Sequence, residues 1–202
     1  MCSSDLARAA GRGAGGRRPD RVSRGATLHP PPGPEDNELV ARVLARDDRH
    51  AFAVLVRRHQ ASVRGLLRRL TAGDQALADD LAQETFLRAY RALGAFRGDA
   101  HFLSWLLRIA YRAYLTDARA SAARRAEAAA EPAEPFEPPD VAVRYDLANA
   151  LQLLSADERA ALALTYAEDL SHEEAAAILD WPLGTLKTRI LHAKQKLRTR
   201  LL

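Results

Sequence analysis

What this sequence has little of narrows its chemistry first. Its 202 residues include one cysteine, Cys2. A single thiol closes no intrachain disulfide and builds no cysteine-based zinc site. The six histidines are scattered and form no His-x-x-x-His pair, so neither a metal nor a cofactor is expected. No apolar run approaches the roughly 18 residues of a membrane span. The N-terminal segment carries arginines but no apolar stretch of the secretory kind. A cytoplasmic chain without membrane insertion is the simplest expectation. Aromatic residues make up only 6%, and no segment alternates apolar and polar residues long enough for a sheet. Lysine occurs at 187, 194 and 196 alone, so arginine carries nearly all the basic charge. The net charge of +4 permits a nucleic-acid partner without demonstrating one.

What is present is helical, and the fold class expected is all-α. Residues 1–34 form a basic leader, with six arginines against Asp5 and Asp20 and a Pro30–Pro34 end, expected to be disordered. A first helical domain is expected over 35–126. It comprises a short helix around Glu38–Ala45 and longer ones near 48–71, 74–93 and 101–122. Residues 127–140 then hold five acidic residues, four prolines and no basic residue, which reads as a stiffened linker. Fully extended, it could span roughly 46–50 Å. A second domain, 141–202, is expected to hold helices near 141–153, 156–168, 172–179 and 183–201. Ser155 with Glu158, and Ser171 with Glu174, are capping-box pairs that place two of these starts.

The second domain carries the sharpest pattern. A short capped helix stops at Leu179. Asp180 can take the left-handed conformation of a tight turn, and Pro182 suits the first turn of the next helix. Ala175 and Ala176 allow the two helices to cross closely. This is the layout of a helix-turn-helix. In the second helix Leu183, Leu186, Ile190, Leu197 and Leu201 fall on an inward stripe. Thr185, Thr188, Arg189 and His192 fall on an outward one, flanked by Lys187 and Lys194. Residues 187–202 contain six Lys and Arg and no acidic residue. The DNA major groove admits one helix, where arginine and lysine pair with guanine edges. A solvated basic face on a bundle helix is the plainer alternative.

In the first domain, Leu81, Ala82, Phe86, Tyr90 and Leu93 can face the core of the third helix. Asp80, Gln83, Glu84, Leu87 and Arg91 form a separate outward stripe, with Arg88 beside it. A leucine among charges suits a protein partner, although charged faces are commonly just solvated. Asp79, Asp80 and Glu84 lack a histidine, a nucleophile or a Gly-rich phosphate loop, so the chain is not expected to be an enzyme. The next loop and helix interleave rings with cations: Phe96, Arg97, His101, Phe102, Trp105, Arg108, Tyr111, Arg112, Tyr114 and Arg119. Stacking rings beside phosphate-tracking arginines suit single-stranded nucleic acid. Phe102 and Trp105 are expected in the core, with Tyr111, Arg112 and Arg119 more exposed.

These residues carry a family resemblance. Asp79–Tyr90, Phe96–Asp99 and Phe102–Ala110 resemble region two of the sigma-70 family, extracytoplasmic-function (ECF) group. Leu154–Arg159 and Pro182–Arg189 resemble its region four. The resemblance implies a sigma factor that binds core RNA polymerase and directs promoter-specific initiation, often in stress responses. It implies docking of Asp80, Gln83, Glu84, Leu87, Arg88 and Arg91 on the coiled coil of the largest subunit, with the flap as a further contact. It implies capture of the melted −10 strand by Arg97, Gly98, Asp99, His101, Tyr111, Arg112 and Arg119. It places Thr185, Lys187, Thr188, Arg189, His192 and Lys194 at the −35 element. An anti-sigma partner is a further expectation of the family. Arg112 stands where the family often has asparagine, and His192 where arginine or lysine is common. The alternative is a stand-alone helix-turn-helix transcriptional regulator, whose first domain would be a receiver or sensor. The absence of alternating strands disfavours a receiver.

Overall fold

The computed structural model describes residues 34–98, 100–128 and 152–201. Among these there is no strand. The first four helices are α1 (Pro34–Arg46), α2 (Arg49–Leu70), α3 (Gln75–Ala92) and α4 (Phe102–Ala128). A 3₁₀ turn, Leu93–Ala95, follows α3. The last three are α5 (Ala156–Leu162), α6 (His172–Leu179) and α7 (Leu183–Leu201), with a π-helical segment, Ala163–Ala167, extending α5. The expected leader and most of the expected 127–140 linker and 141–153 helix lie outside the described residues.

Short polar caps set the boundaries. Asp48 accepts the Ala51 N–H at 3.0 Å and Asp74 accepts that of Leu77 at 3.0 Å, starting α2 and α3. Between these helices Ala72 and Gly73 take positive φ of 53° and 96°, and the chain reverses. Ser155 and Ser171 each form both bonds of a capping box, with Glu158 and Glu174. Two ends differ from the sequence expectation. α1 begins at Pro34, ahead of Glu38, because proline suits a first turn and Glu35 and Asp36 oppose the helix dipole there. α4 continues to Ala128 because residues 120–128 are mostly alanine and arginine, both strong helix formers.

Leu55, Val63, Leu66, Leu67 and Leu70 of α2 meet Ala78 and Ala89 of α3 and Leu106, Leu107 and Ala110 of α4 in one core. That core continues into Ala160, Ala161, Leu164, Ala175, Ile178 and Leu186 of the C-terminal half. The two halves are therefore packed together. Arg159 reaches from α5 to the Leu70 carbonyl (3.2 Å) and to that of Leu154 (2.7 Å), tying off the end of α2. The π-helical turn, closed by the Glu168 N–H to the Ala163 carbonyl, turns buried Glu168 toward α2. There its carboxylate lies 3.5 Å from Arg69. Gly65 makes room for this approach: a Cβ at that position would stand 3.6 Å from the Glu168 carboxylate and 3.0 Å from the Arg69 guanidinium.

A polar cluster fastens α1 to α2. Asp36 and His59 are both buried, with His59 Nε2 3.0 Å from Asp36 Oδ2. Arg58 donates to the other Asp36 oxygen and, at 2.9 Å, to Glu35. Burial by itself would raise the Asp36 carboxyl. The hydrogen bond and charge of His59, joined by those of Arg58, outweigh it and hold the carboxyl below its usual 3.8. Because the folded value is depressed, Asp36 contributes stability that is complete above the unfolded value and is lost as pH falls through the folded one. We expect acid unfolding below pH 3.8 to be shallower in Asp36→Asn, measured by circular dichroism along a pH series. Identical acid profiles would mean that Asp36 carries none of the acid sensitivity.

Candidate nucleic-acid and polymerase interfaces

The α3 stripe is assembled as its periodicity suggested. Asp80, Gln83, Leu87 and Arg91 are exposed, and Glu84 and Arg88 are half-buried. Glu84 accepts from Arg88 Nε at 2.7 Å, one helical turn on. Leu87 is 45% exposed, an apolar side chain among charges. The stripe does not stand alone. It forms one wall of a shallow depression of about 690 Å³, whose other wall is α2 with Phe52, Val56, Gln60 and Arg64. Arg64 pairs with Asp79 across it at 3.3 Å. Phe52 and Val56 are half-buried, so the depression has an apolar floor that one-helix periodicity could not disclose.

The aromatic segment splits in two. Phe96, Phe102 and Trp105 form a cluster with ring centroids 5.4–5.5 Å apart, and Phe102 is fully inside. Arg97, Gly98 and His101 lie exposed at its edge, with Gly98 at φ +76°. Asp99 lies outside the described residues. Arg112 and Arg119 are exposed on α4. Tyr111 corrects the sequence expectation of exposure: it is only 3% exposed. Trp181, from the turn between α6 and α7, stands edge-on to it at 6.4 Å. Burial, reinforced by Asp157 and Tyr114, pushes the Tyr111 hydroxyl up to about 12. Nearby Arg108 reaches Asp180 at 3.3 Å. At that burial the Tyr111 ring offers no open face to a stacking partner.

The C-terminal pair of helices has the geometry of a helix-turn-helix. Asp180 adopts φ 61°, ψ 42°, the left-handed conformation that ends α6, and the Trp181 N–H returns to the Ala176 carbonyl at 3.0 Å. Ala175, Ala176, Ile178 and Leu179 of α6 meet Leu186 and Ile190 of α7 inside. This leaves Thr185, Lys187, Thr188, His192 and Lys194 exposed on α7, with Arg189 half-buried. Arg189 lies 3.4 Å from Asp157 of α5. The Lys194 ammonium sits 4.7 Å above the Tyr166 ring. Thr188 donates to the Gly184 carbonyl at 2.9 Å.

No helix among the described residues is long and apolar enough to cross a membrane. No group of three or more potential metal-ligating side chains occurs among them.

Comparisons with known proteins agree with this geometry. The model of sigma-70 region 2 matches residues 55–125, and that of sigma-70, region 4 matches residues 144–197. The RNA polymerase sigma-H factor of Pseudomonas aeruginosa is 38% identical over 177 aligned residues, covering 80% of this chain and 91% of that protein. The ECF RNA polymerase sigma-E factor of Escherichia coli K12 is 36% identical, covering 79% and 91%. Among solved structures, the sigma factor RpoE in complex with the anti-sigma factor NepR from Bartonella quintana aligns with a TM-score of 0.64 and 25% identity, covering 74% of this chain and 96% of that one. CnrH in complex with the cytosolic domain of CnrY aligns with a TM-score of 0.61 and 27% identity, covering 83% and 97%. The chain belongs to the extracytoplasmic-function group of the sigma-70 family and is a promoter-specificity factor for transcription initiation.

Proposed function

We propose that the three surfaces divide the work of initiation. The α3 stripe, with the depression beside it, docks on the coiled coil of the polymerase's largest subunit, and the C-terminal half reaches the flap. α7 reads the −35 element as duplex in the major groove. Arg97, Gly98 and His101, together with Arg112, Arg119 and an uncovered Tyr111, take the melted −10 strand. The chain works in the cytoplasm beside the polymerase and carries no reaction of its own. The Bartonella quintana relative is in complex with an anti-sigma factor, and CnrH with the cytosolic domain of CnrY, which supports a comparable partner here. The observation that carries the reading is the left-handed turn at Asp180, which presents Thr185, Thr188 and His192 together on one exposed face flanked by exposed Lys187.

Arg189 tests the −35 assignment. Its pairing with Asp157 is partly exposed, so releasing it for DNA costs little. Arg189→Ala is expected to lose about 1–3 kcal/mol of affinity, concentrated at one base pair of the −35 element, if the side chain pairs bidentately with guanine. Competition binding of holoenzyme to duplexes changed one base pair at a time measures this. An equal loss on every duplex makes Arg189 a phosphate contact, and no loss removes it from the interface.

A further inference from the structure

The exposed Arg97–Gly98 turn has a structural support that none of the three surfaces accounts for. It comes from α1. The Asn37 amide lies against Gly98: a Cβ added there would stand 3.8 Å from its oxygen and 4.0 Å from its nitrogen. Gly98 is at φ +76°, so the chain bends sharply where Asn37 backs it. The two stems of the turn are joined ring to ring, Phe96 before it and Phe102 after it, with centroids 5.4 Å apart. The His59 ring lies 5.4 Å from that of Phe102. His59 in turn bonds to Asp36, the residue preceding Asn37. One short stretch of α1 therefore holds the turn twice, directly through Asn37 and from behind through Asp36, His59 and Phe102.

We propose that α1 is a brace for the strand-capturing turn, and that Asn37 and His59 are positioning residues for recognition of the melted strand. The inference rests on the reading that Arg97, Gly98 and His101 take that strand. A binding surface held in its bound shape loses less conformational entropy on engagement. A turn built around a positive-φ glycine has more freedom to lose than most. Without Asn37 the turn samples other shapes, and each base presented to it is held less tightly and less selectively. The residue is exposed, so its removal leaves no buried polar group without a partner.

The test uses the full chain assembled with core polymerase. The probe is a fluorescent single-stranded oligonucleotide carrying the non-template −10 sequence of a promoter mapped from this factor's own transcript starts. Asn37→Ala is expected to weaken the oligonucleotide by about threefold to tenfold, the scale of one to two immobilised side chains. It should also flatten the preference among bases at the captured position, with core affinity, −35 duplex affinity and thermal melting unchanged. His59→Gln should show the same pattern, since it keeps a donor toward Asp36 but loses the ring against Phe102. If His59→Gln melts early, Asn37→Ala alone decides. Parental affinity and base preference in Asn37→Ala, while an Arg97→Ala/His101→Ala pair loses the strand, would overturn the brace and leave the capture reading standing. If that pair also binds as the parent does, the capture reading itself fails and takes the brace with it. A loss equal for every base overturns the positioning role as well.

Discussion

Glu84→Lys is expected to weaken assembly with core polymerase by roughly thirtyfold or more, corresponding to about 2 kcal/mol or above. The local chemistry gives the reason. Glu84 now neutralises Arg88 at 2.7 Å, and Arg91 follows on the same face. Reversal places three cations on a stripe that also carries Asp80, Gln83 and Leu87. A partner surface complementary to the native stripe then faces like charge, and such juxtapositions cost several kcal/mol. Folding is little affected, because lysine and glutamate have similar helix propensity and the position is partly exposed. The measurement is titration of labelled factor with core enzyme, paired with a melting curve. Parental affinity in a normally folded variant would move the docking surface off α3. Val56→Asp offers a companion result: weakened assembly would extend the dock into the depression between α2 and α3.

The second large effect is on folding. Leu186 is 0% exposed and lies where α7 crosses α6. Leu186→Ala should cost about 2–5 kcal/mol, the transfer term plus the cavity left behind. The small C-terminal helices have little core to spare, and α6 is only eight residues long. Urea unfolding should show the loss, and −35 binding should fall with it at temperatures where the variant begins to melt. Stability within about 0.5 kcal/mol of the parent would show that α7 does not depend on this side chain, against the range for buried leucines.

Much of this architecture is legible locally. Asp74, Ser155 and Ser171 announce helix starts because each cap is satisfied within its own first turn. The left-handed Asp180 follows from a short polar residue between two helical patterns, and the faces of α7 follow from a repeat of 3.6. What escaped were contacts between distant parts of the chain. Tyr111 was expected to be among the more exposed residues of its helix, with Arg112 and Arg119. Its cover, Trp181, comes from a turn 70 positions later. The buried Asp36–His59 pair is equally silent in sequence, since a lone aspartate and a lone histidine 23 residues apart show no motif. The π-helical turn at Ala163–Ala167 has no composition signal. Its purpose is visible only when Glu168 is seen beside Gly65 and Arg69.

The packed arrangement of the two halves changes how the DNA surfaces are understood. Arg108 and Tyr111 of α4 meet Asp180 and Trp181 of the helix-turn-helix. The same turn that aims α7 therefore also covers part of α4. Beside this ion pair and edge-on aromatic contact, the halves share buried apolar side chains and the Arg159–Leu70 and Arg69–Glu168 contacts.

The most direct test of the central claim is run-off transcription with purified chain and core RNA polymerase on a promoter mapped from its own transcript starts. The account predicts initiation at one defined position, lost when either the −35 or the −10 element is scrambled. A chain that fails to bind core enzyme, or that binds DNA alone and leaves the start sites of core enzyme unchanged, would contradict it.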